Sequence, residues 1–165
     1  MMPSQLPTCI ADTNVIIDMY LGGILARLFE LPLQFAAPDV IIAELQDPDG
    51  AQVELMGMVR LSLEPHQLVG VMELSRQYPR VSVSDLQAFV LARDRKAMLV
   101  TGDHALRRLA GEAAIPVHGT LWLLDEMVRL AILAEGEAAA ALQTMLDNNC
   151  RLPLEECEAR LRRWK

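Results

Sequence analysis

The chain has 165 residues, a formal net charge of −7, 52% hydrophobic residues and three cysteines, and its pI is near 4.9. A chain of this length can bury the core of one domain without disulfides. The acidity argues against a protein that coats nucleic acid by bulk electrostatic attraction, but it leaves room for an enzyme whose carboxylates gather around metal ions. The few cysteines, with Cys9 inside an apolar run, indicate a reducing compartment. We therefore expect a cytoplasmic protein with no export signal and no membrane span.

Short apolar runs alternate with helical patterns as far as residue 117. Five runs have the length and composition of buried strands: residues 9–11, 35–37, 59–63, 97–100 and 115–117. The segments between them carry apolar residues at helical spacing, including residues 24–31 and 65–77. Such alternation predicts an α/β fold, a five-stranded and mostly parallel sheet with helices on both faces. Beyond it the pattern predicts only helices, over residues 121–134, 137–146 and 154–164.

Two of the predicted strands end at acidic residues. The first apolar run stops at Asp12, and the fourth is followed by Thr101, Gly102 and Asp103. Ligands of open α/β sheets bind beyond the carboxyl ends of the strands, at the place where the strand order reverses. If the first and fourth strands are neighbours at that place, Asp12 and Asp103 face one crevice.

Glu44 and Asp85 lie on helical patterns from which they can reach the same crevice. Each acid also has an ordinary explanation when it is taken alone. Asp12 and Asp103 are suited to cap the helices that follow them, Asp85 completes a capping box that begins at Ser82, and Glu44 fits a solvated helical position. The sequence by itself leaves both interpretations open.

Taken together, the four carboxylates favour a metal site. Carboxylates aimed at one crevice repel one another and raise their own pKa values unless a cation neutralises them. Hard oxygen ligands without His or Cys favour Mg²⁺ or Mn²⁺. Neutral neighbours would then hold the carboxylates and bound waters in place: Thr13, Asn14, Ser84 and Thr101.

Basic residues near these acids are candidates for phosphate contacts. Arg107 and Arg108 lie one turn beyond Asp103 and are the best placed, and the run at residues 93–96 comes second. The chain ends in a basic segment that contains Trp164, a combination that suits RNA or a partner. A solvated helix face and a complemented helix dipole explain the last two segments equally well.

At these residues the sequence resembles the PIN domains, and among them the VapC-type ribonuclease toxins of bacterial toxin–antitoxin pairs. The resemblance covers about residues 8–125 and is carried by four motifs in the family's order: ADTN at 11–14, PDVIIAEL at 38–45, SDLQAFVLAR at 84–93 and LVTGD at 99–103. The remaining helices are longer than in the shortest toxins of this type. We therefore expect one PIN-like domain over residues 1–165, in which residues 136–165 form a C-terminal helical extension.

The resemblance implies a five-stranded parallel sheet and an endoribonuclease that uses a water activated by Mg²⁺ or Mn²⁺. It implies that the acids that bind metal and act in catalysis are Asp12, Glu44, Asp85 and Asp103, assisted by Thr13 or Asn14 and by Thr101. It also implies an RNA substrate, a homodimer, and a protein antitoxin that enters the crevice.

Two other classes of function fit parts of the pattern. A phospho-acceptor signalling domain also places acids and a threonine at strand ends, but it needs a lysine near the last strand, and neither Lys96 nor Lys165 is placed for that role. A catalytically idle member of the family would act only by binding a partner through its apolar C-terminal helices. The presence of all four acids favours the enzyme.

Overall fold

The computed structural model describes residues 5–164, which form one five-stranded sheet surrounded by helices. The strands are β1 (Thr8–Ala11), β2 (Gln34–Pro38), β3 (Val59–Leu61), β4 (Met98–Val100) and β5 (Val117–His118). All pairings are parallel, in the order β3-β2-β1-β4-β5. The prediction of an α/β fold with a five-stranded parallel sheet is confirmed. The strand order reverses between β1 and β4, which are neighbours.

Ten helices are found within residues 5–164. They are α1 (Thr13–Leu21), α2 (Leu25–Leu28), α3 (Asp39–Glu44), α4 (Gly50–Met56), α5 (Pro65–Gln77), α6 (Val83–Arg95), α7 (His104–Glu112), α8 (Thr120–Arg129), α9 (Glu135–Asp147) and α10 (Leu154–Arg163). The first seven connect or follow the strands, and the last three follow β5.

Strand β1 is the central strand of the sheet, with two strands on each side of it. Its residues Cys9, Ile10 and Ala11 are completely buried, as expected of a strand that reads as a continuous apolar run. Helix α6 packs against β1 and β2 and buries most of one face, including Leu86 and Phe89. This packing fixes the carboxyl end of β1, where Asp12 follows.

Two helix predictions are wrong in length. The helix predicted over 121–134 is α8 and ends at Arg129, because the chain leaves the helix at Leu130 and Ala131 takes up a left-handed conformation with φ of 58°. The helix predicted over 24–31 is reduced to the single turn of α2. Neither segment has a proline or glycine at the break, which is why the apolar pattern alone did not mark it.

The two C-terminal helices pack against the helices beside the sheet. Helix α9 contacts α1 and α8 and buries Leu142 and Met145 completely. Helix α10 contacts α9 and buries Cys157 and Trp164. No helix between residues 5 and 164 is long and apolar enough to cross a membrane.

Candidate active site

Asp12 lies directly beyond β1 and is buried, with 1% of its surface exposed. Its backbone N–H donates to the carbonyl of Val100 (3.2 Å), which extends the pairing of β1 with β4 by one step. Its carboxylate Oδ1 caps α1 by accepting from the backbone N–H of Val15 (2.9 Å). Asp12 therefore caps α1 and also lies where the strand order reverses.

Thr101 connects the acids that follow β1 and β4. Its hydroxyl donates to Oδ2 of Asp12 and accepts from the backbone N–H of Asp103 (3.1 Å). Asp103 caps α7 through Leu106, whose N–H donates to Oδ1 (2.8 Å). The second carboxylate oxygen of Asp103 makes none of these contacts, so one carboxylate edge is left for another ligand.

Glu44 and Asp85 approach from α3 and α6. The hydroxyl of Ser84 donates to Oε1 of Glu44 (2.6 Å), which joins two helices that are 40 residues apart in the chain. Asp85 lies in the first turn of α6, and its N–H donates to the Ser82 hydroxyl (3.1 Å). Glu44 is exposed, whereas Asp85 is half-buried.

The pKa values of Asp12 and Asp85 are raised in part by the negative charges of neighbouring carboxylates. Burial raises the pKa of Asp12 to about 7, against the lowering effect of its hydrogen bonds with Thr101 and Val15, and the negative charge of Asp85 raises it further. Burial also raises the pKa of Asp85, as do the negative charges of Asp103 and Glu44. Asp85 therefore raises the pKa of Asp12, and its own pKa is raised by Asp103 and Glu44; no basic group is among the causes of either shift.

This electrostatic environment fits a divalent cation. A buried carboxylate with a raised pKa and acidic neighbours gains most when a positive charge is placed beside it. The oxygen-only donors suit Mg²⁺ or Mn²⁺. No three His, Cys, Asp or Glu side chains among residues 5–164 are close enough together to hold a metal ion by themselves. Mg²⁺ does not require such a cage, because it keeps several waters and is usually bound through one or two carboxylates.

The residues predicted to assist the acids occupy different places. Thr13 and Asn14 are the first residues of α1, and Asn14 is exposed on the wall of a cleft that also contains Asp103. Arg107 lines the same cleft, and its guanidinium donates to the carbonyl of Thr101 (3.0 Å). Arg108 lies elsewhere, with its side chain 85% exposed and 3.9 Å from Glu112. Of the two arginines, only Arg107 is placed beside the acids.

The cleft has a volume of about 1180 Å³ and runs from Asp103 to the C-terminal helices. One part is formed by β5 and the start of α8, including His118 and Trp122, and another by the segment between α9 and α10, including Arg151. No sequence motif marked any of these three residues as functional. Their patterns are ordinary for a helix and a loop, and long-range packing alone puts them on the cleft that Asp103 also lines.

A parallel sheet in which Asp12 and Asp103 follow the two strands where the order reverses defines an α/β protein with an acidic site at that edge. A family model described as PIN domain matches residues 8–165, and the chain belongs to this family. The match runs through both C-terminal helices. PIN domains are generally nucleases that act on nucleic acid and typically use divalent metal ions. A search of curated proteins gives no significant match.

Proposed function

We propose that this PIN domain is an endoribonuclease that depends on Mg²⁺ or Mn²⁺ and is the toxin of a VapC-type toxin–antitoxin pair. The observation that carries the proposal is the link through Thr101, whose hydroxyl donates to the buried carboxylate of Asp12 and accepts from the backbone N–H of Asp103 at the carboxyl ends of β1 and β4. The pKa values of Asp12 and Asp85, raised mainly by burial, support it. In this proposal the metal ligands and catalytic residues are the four acids named above, and a homodimer and a protein antitoxin complete the system.

The chemistry is hydrolysis of a phosphodiester. Water adds to phosphorus and the bond to one bridging oxygen breaks, so that one product ends in a phosphate group and the other in a hydroxyl, without a covalent enzyme intermediate. A bound divalent ion supplies positive charge that polarises the phosphate and lowers the pKa of water.

The chain's own residues position the reacting groups. Asp12 and Asp85 are the buried and half-buried carboxylates, so they are the members that gain most from a neighbouring cation. Thr101 fixes the orientation of Asp12 and the backbone of Asp103, and Ser84 fixes Glu44. Arg107 lines the cleft that contains Asp103, and we expect it to contact a phosphate oxygen.

The test is RNA cleavage by the purified protein with Mg²⁺ or Mn²⁺, compared with Asp12→Asn. We expect Asp12→Asn to abolish cleavage while the circular dichroism spectrum stays unchanged. The matched control is Asp94→Asn, at the far end of α6, where the carboxylate pairs with Arg93 on the surface. Undiminished cleavage by Asp12→Asn, or equal losses in both variants, would refute the assignment.

The metal requirement is tested separately by titrating Mn²⁺ into the wild type and into Asp103→Asn. Specific binding that weakens in Asp103→Asn is expected of the enzyme. An idle PIN-like binding protein predicts no specific binding in either, so this measurement separates the two functions.

The position of Lys96 disfavours the phospho-acceptor alternative. Lys96 is the cap at the end of α6 and precedes β4. It therefore lies at the amino end of that strand, whereas Thr101 and Asp103 follow the carboxyl end. Labelling with a small phosphodonor is expected to leave the protein unmodified.

The toxin role is tested in cells. Expression of the wild type is expected to arrest growth, and expression of Asp12→Asn is not. Co-expression of the cognate antitoxin is expected to restore growth, and the antitoxin is expected to co-purify with the protein. Growth that is unaffected by an active wild-type enzyme would remove the toxin role and leave the nuclease.

A further inference from the structure

His118 and Trp122 form a stacked pair of rings on the wall of the cleft that contains Asp103. The ring centroids are 4.0 Å apart and the ring planes differ by 14°. His118 ends β5 and Trp122 lies in the first turn of α8, so the turn at Gly119 brings the two rings together. Both side chains are only half-buried, and both line the cleft. This wall therefore offers a flat aromatic surface for a planar ligand.

The ring pair is linked to the acids through the sheet. The carbonyl of His118 accepts from the backbone N–H of Thr101 (2.9 Å), and the hydroxyl of Thr101 donates to Asp12. Strand β5 is two strands away from β1, which is a separation of about 10 Å. A ligand that reaches both the acids and the rings must therefore be an extended molecule.

The lining of the same cleft includes three acids, Asp18, Asp103 and Glu156, and three arginines, of which Arg160 is paired with Asp125. Arg107 and Arg151 line it, and within residues 5–164 neither forms an ion pair with an acidic side chain. Arg151 is exposed on the segment between α9 and α10. Two arginines without an ion-pair partner beside an aromatic surface favour a ligand with phosphates and planar rings.

We propose that the His118–Trp122 pair is a binding site for a nucleobase of the substrate, and that Arg151 contacts a phosphate of the same strand. The proposal rests on the function proposed above, and it assigns part of substrate binding to the C-terminal helical segment. A base stacked on this wall belongs to a nucleotide close to the bond that is cleaved, because Asp103 lines the same cleft.

Trp122 itself reports on stacking. The chain has two tryptophans, and the other, Trp164, is buried with 2% of its surface exposed. In a Trp164→Phe protein the indole emission comes from Trp122 alone. We expect a short mixed-sequence RNA without self-complementarity to quench this emission as it binds. The Asp12→Asn background with Mg²⁺ present keeps the RNA intact.

Affinity for the same RNA is measured by fluorescence anisotropy. Trp122→Ala is expected to weaken binding roughly 10-fold, the loss typical of one stacked base, while Trp122→Phe keeps most of the affinity and guards against a folding defect. An RNA backbone without bases is expected to bind more weakly and to be insensitive to Trp122→Ala. RNA binding that leaves the emission of Trp122 unchanged, or equal affinities of wild type and Trp122→Ala, would overturn the base site.

Arg151 has a matched control in Arg162, which is also exposed, forms no ion pair within residues 5–164, and lies outside the cleft on α10. Arg151→Ala is expected to weaken binding several-fold for RNA with and without bases, and to lower the salt dependence by about one counterion. Arg162→Ala is expected to change neither. Equal effects of the two substitutions would overturn the phosphate contact.

Cleavage by the wild type is measured in parallel so that the two proposals can fail separately. RNA binding with quenching of Trp122 but no cleavage would refute the nuclease and support the base site. Cleavage together with an RNA affinity that is unchanged in Trp122→Ala would refute the base site alone.

Discussion

The hydroxyl of Thr101 donates a hydrogen bond to the buried carboxylate of Asp12, although the two residues are 89 positions apart in the chain. The contact exists because β1 and β4 are neighbours and because each residue directly follows its strand. The same hydroxyl accepts from the N–H of Asp103. One side chain therefore holds both of the acids that follow the central strands.

Replacing Thr101 by valine is expected to reduce cleavage by about 10- to 100-fold, because the Asp12 carboxylate loses its orientation. The hydrogen bond from Thr101 lowers the pKa of Asp12, so its loss raises that pKa further. The acidic limb of the pH–rate profile should then move to higher pH. Thr101→Ser keeps the hydroxyl and should restore both rate and profile. A rate loss with an unmoved profile in both variants would point to packing alone.

The pKa of Asp12 also makes the metal-free protein sensitive to pH. The folded-state pKa of about 7 lies above the ordinary value of 3.8, so the folded state binds more protons between these values. Stability therefore falls as pH rises through this window, by at most about 1.4 kcal/mol per pH unit from this one group. Asp12→Asn should remove this dependence and be the more stable protein at about pH 8.

Denaturant unfolding in EDTA at several pH values measures the difference between wild type and Asp12→Asn. The control is Asp94→Asn, since the hydrogen bond with Arg93 lowers the pKa of Asp94 and its difference from wild type should stay flat above about pH 5. Added Mg²⁺ should stabilise the wild type most at high pH. A pH-independent difference for Asp12→Asn would show that its carboxyl titrates normally.

Gly50 illustrates a constraint on the packing of α4 against α3. A Cβ atom at Gly50 would lie 2.3 Å from the backbone carbonyl oxygen of Ile42, which α3 holds in place. Gly50→Ala is therefore expected to lower the free energy of unfolding by about 1–3 kcal/mol. Gly70, inside α5, has no atom within 4 Å of such a Cβ, so Gly70→Ala should raise stability by about 0.5–1 kcal/mol. Thermal and urea unfolding compare the two, and a stabilised Gly50→Ala would contradict the close approach.

Four of the five strands were predictable from sequence because each lies in a short apolar run that ends at polar turn residues. The fifth, predicted at residues 115–117, is Val117–His118 and overlaps that run by one residue. The adjacency of Asp12 and Asp103 followed from one rule, that acids beyond neighbouring parallel strands share an edge. Asp12 and Asp103 cap α1 and α7, and Thr101 links them to each other. Capping a helix therefore does not exclude a role as a metal ligand. The roles of the four acids as ligands remain predictions.

The cleft was not predictable, because its walls come from segments that are distant in sequence. Trp122 has the spacing of an ordinary core residue in α8, and Arg151 stands in a loop with no motif around it. Only the docking of α9 and α10 on the rest of the chain places Arg151 near Asp103. Arg107 and Arg108 show the same limit, since adjacent residues of one helix point in different directions and the sequence cannot tell which of them faces the acids.

The ion pair between Asp125 and Arg160 attaches α10 to α8, next to the part of the cleft wall that contains Arg151. Both oxygens of Asp125 accept from Arg160 (2.9 and 2.7 Å), and Oδ1 also accepts from Arg163 (3.1 Å). The pair is mostly shielded, with 19% of the Arg160 side chain and 30% of the Asp125 side chain exposed. Asp125→Asn is expected to cost about 1–2 kcal/mol of stability, less than a fully buried pair would.

Because Arg160 lines the cleft beside the segment that carries Arg151, loosening α10 should also weaken RNA binding and expose residues 148–153 to protease. Unfolding, limited proteolysis and anisotropy measure the three effects, and Asp125→Asn combined with Arg160→Gln should cost less than the sum of the single changes.

The control, Arg129→Gln, breaks a bidentate pair with Glu126 in which the arginine is 63% exposed, and it should change stability by less than about 0.5 kcal/mol. Equal costs at the two pairs would mean that α10 is held by the burial of Cys157 and Trp164, and the wall would then stay in place without its ion pair.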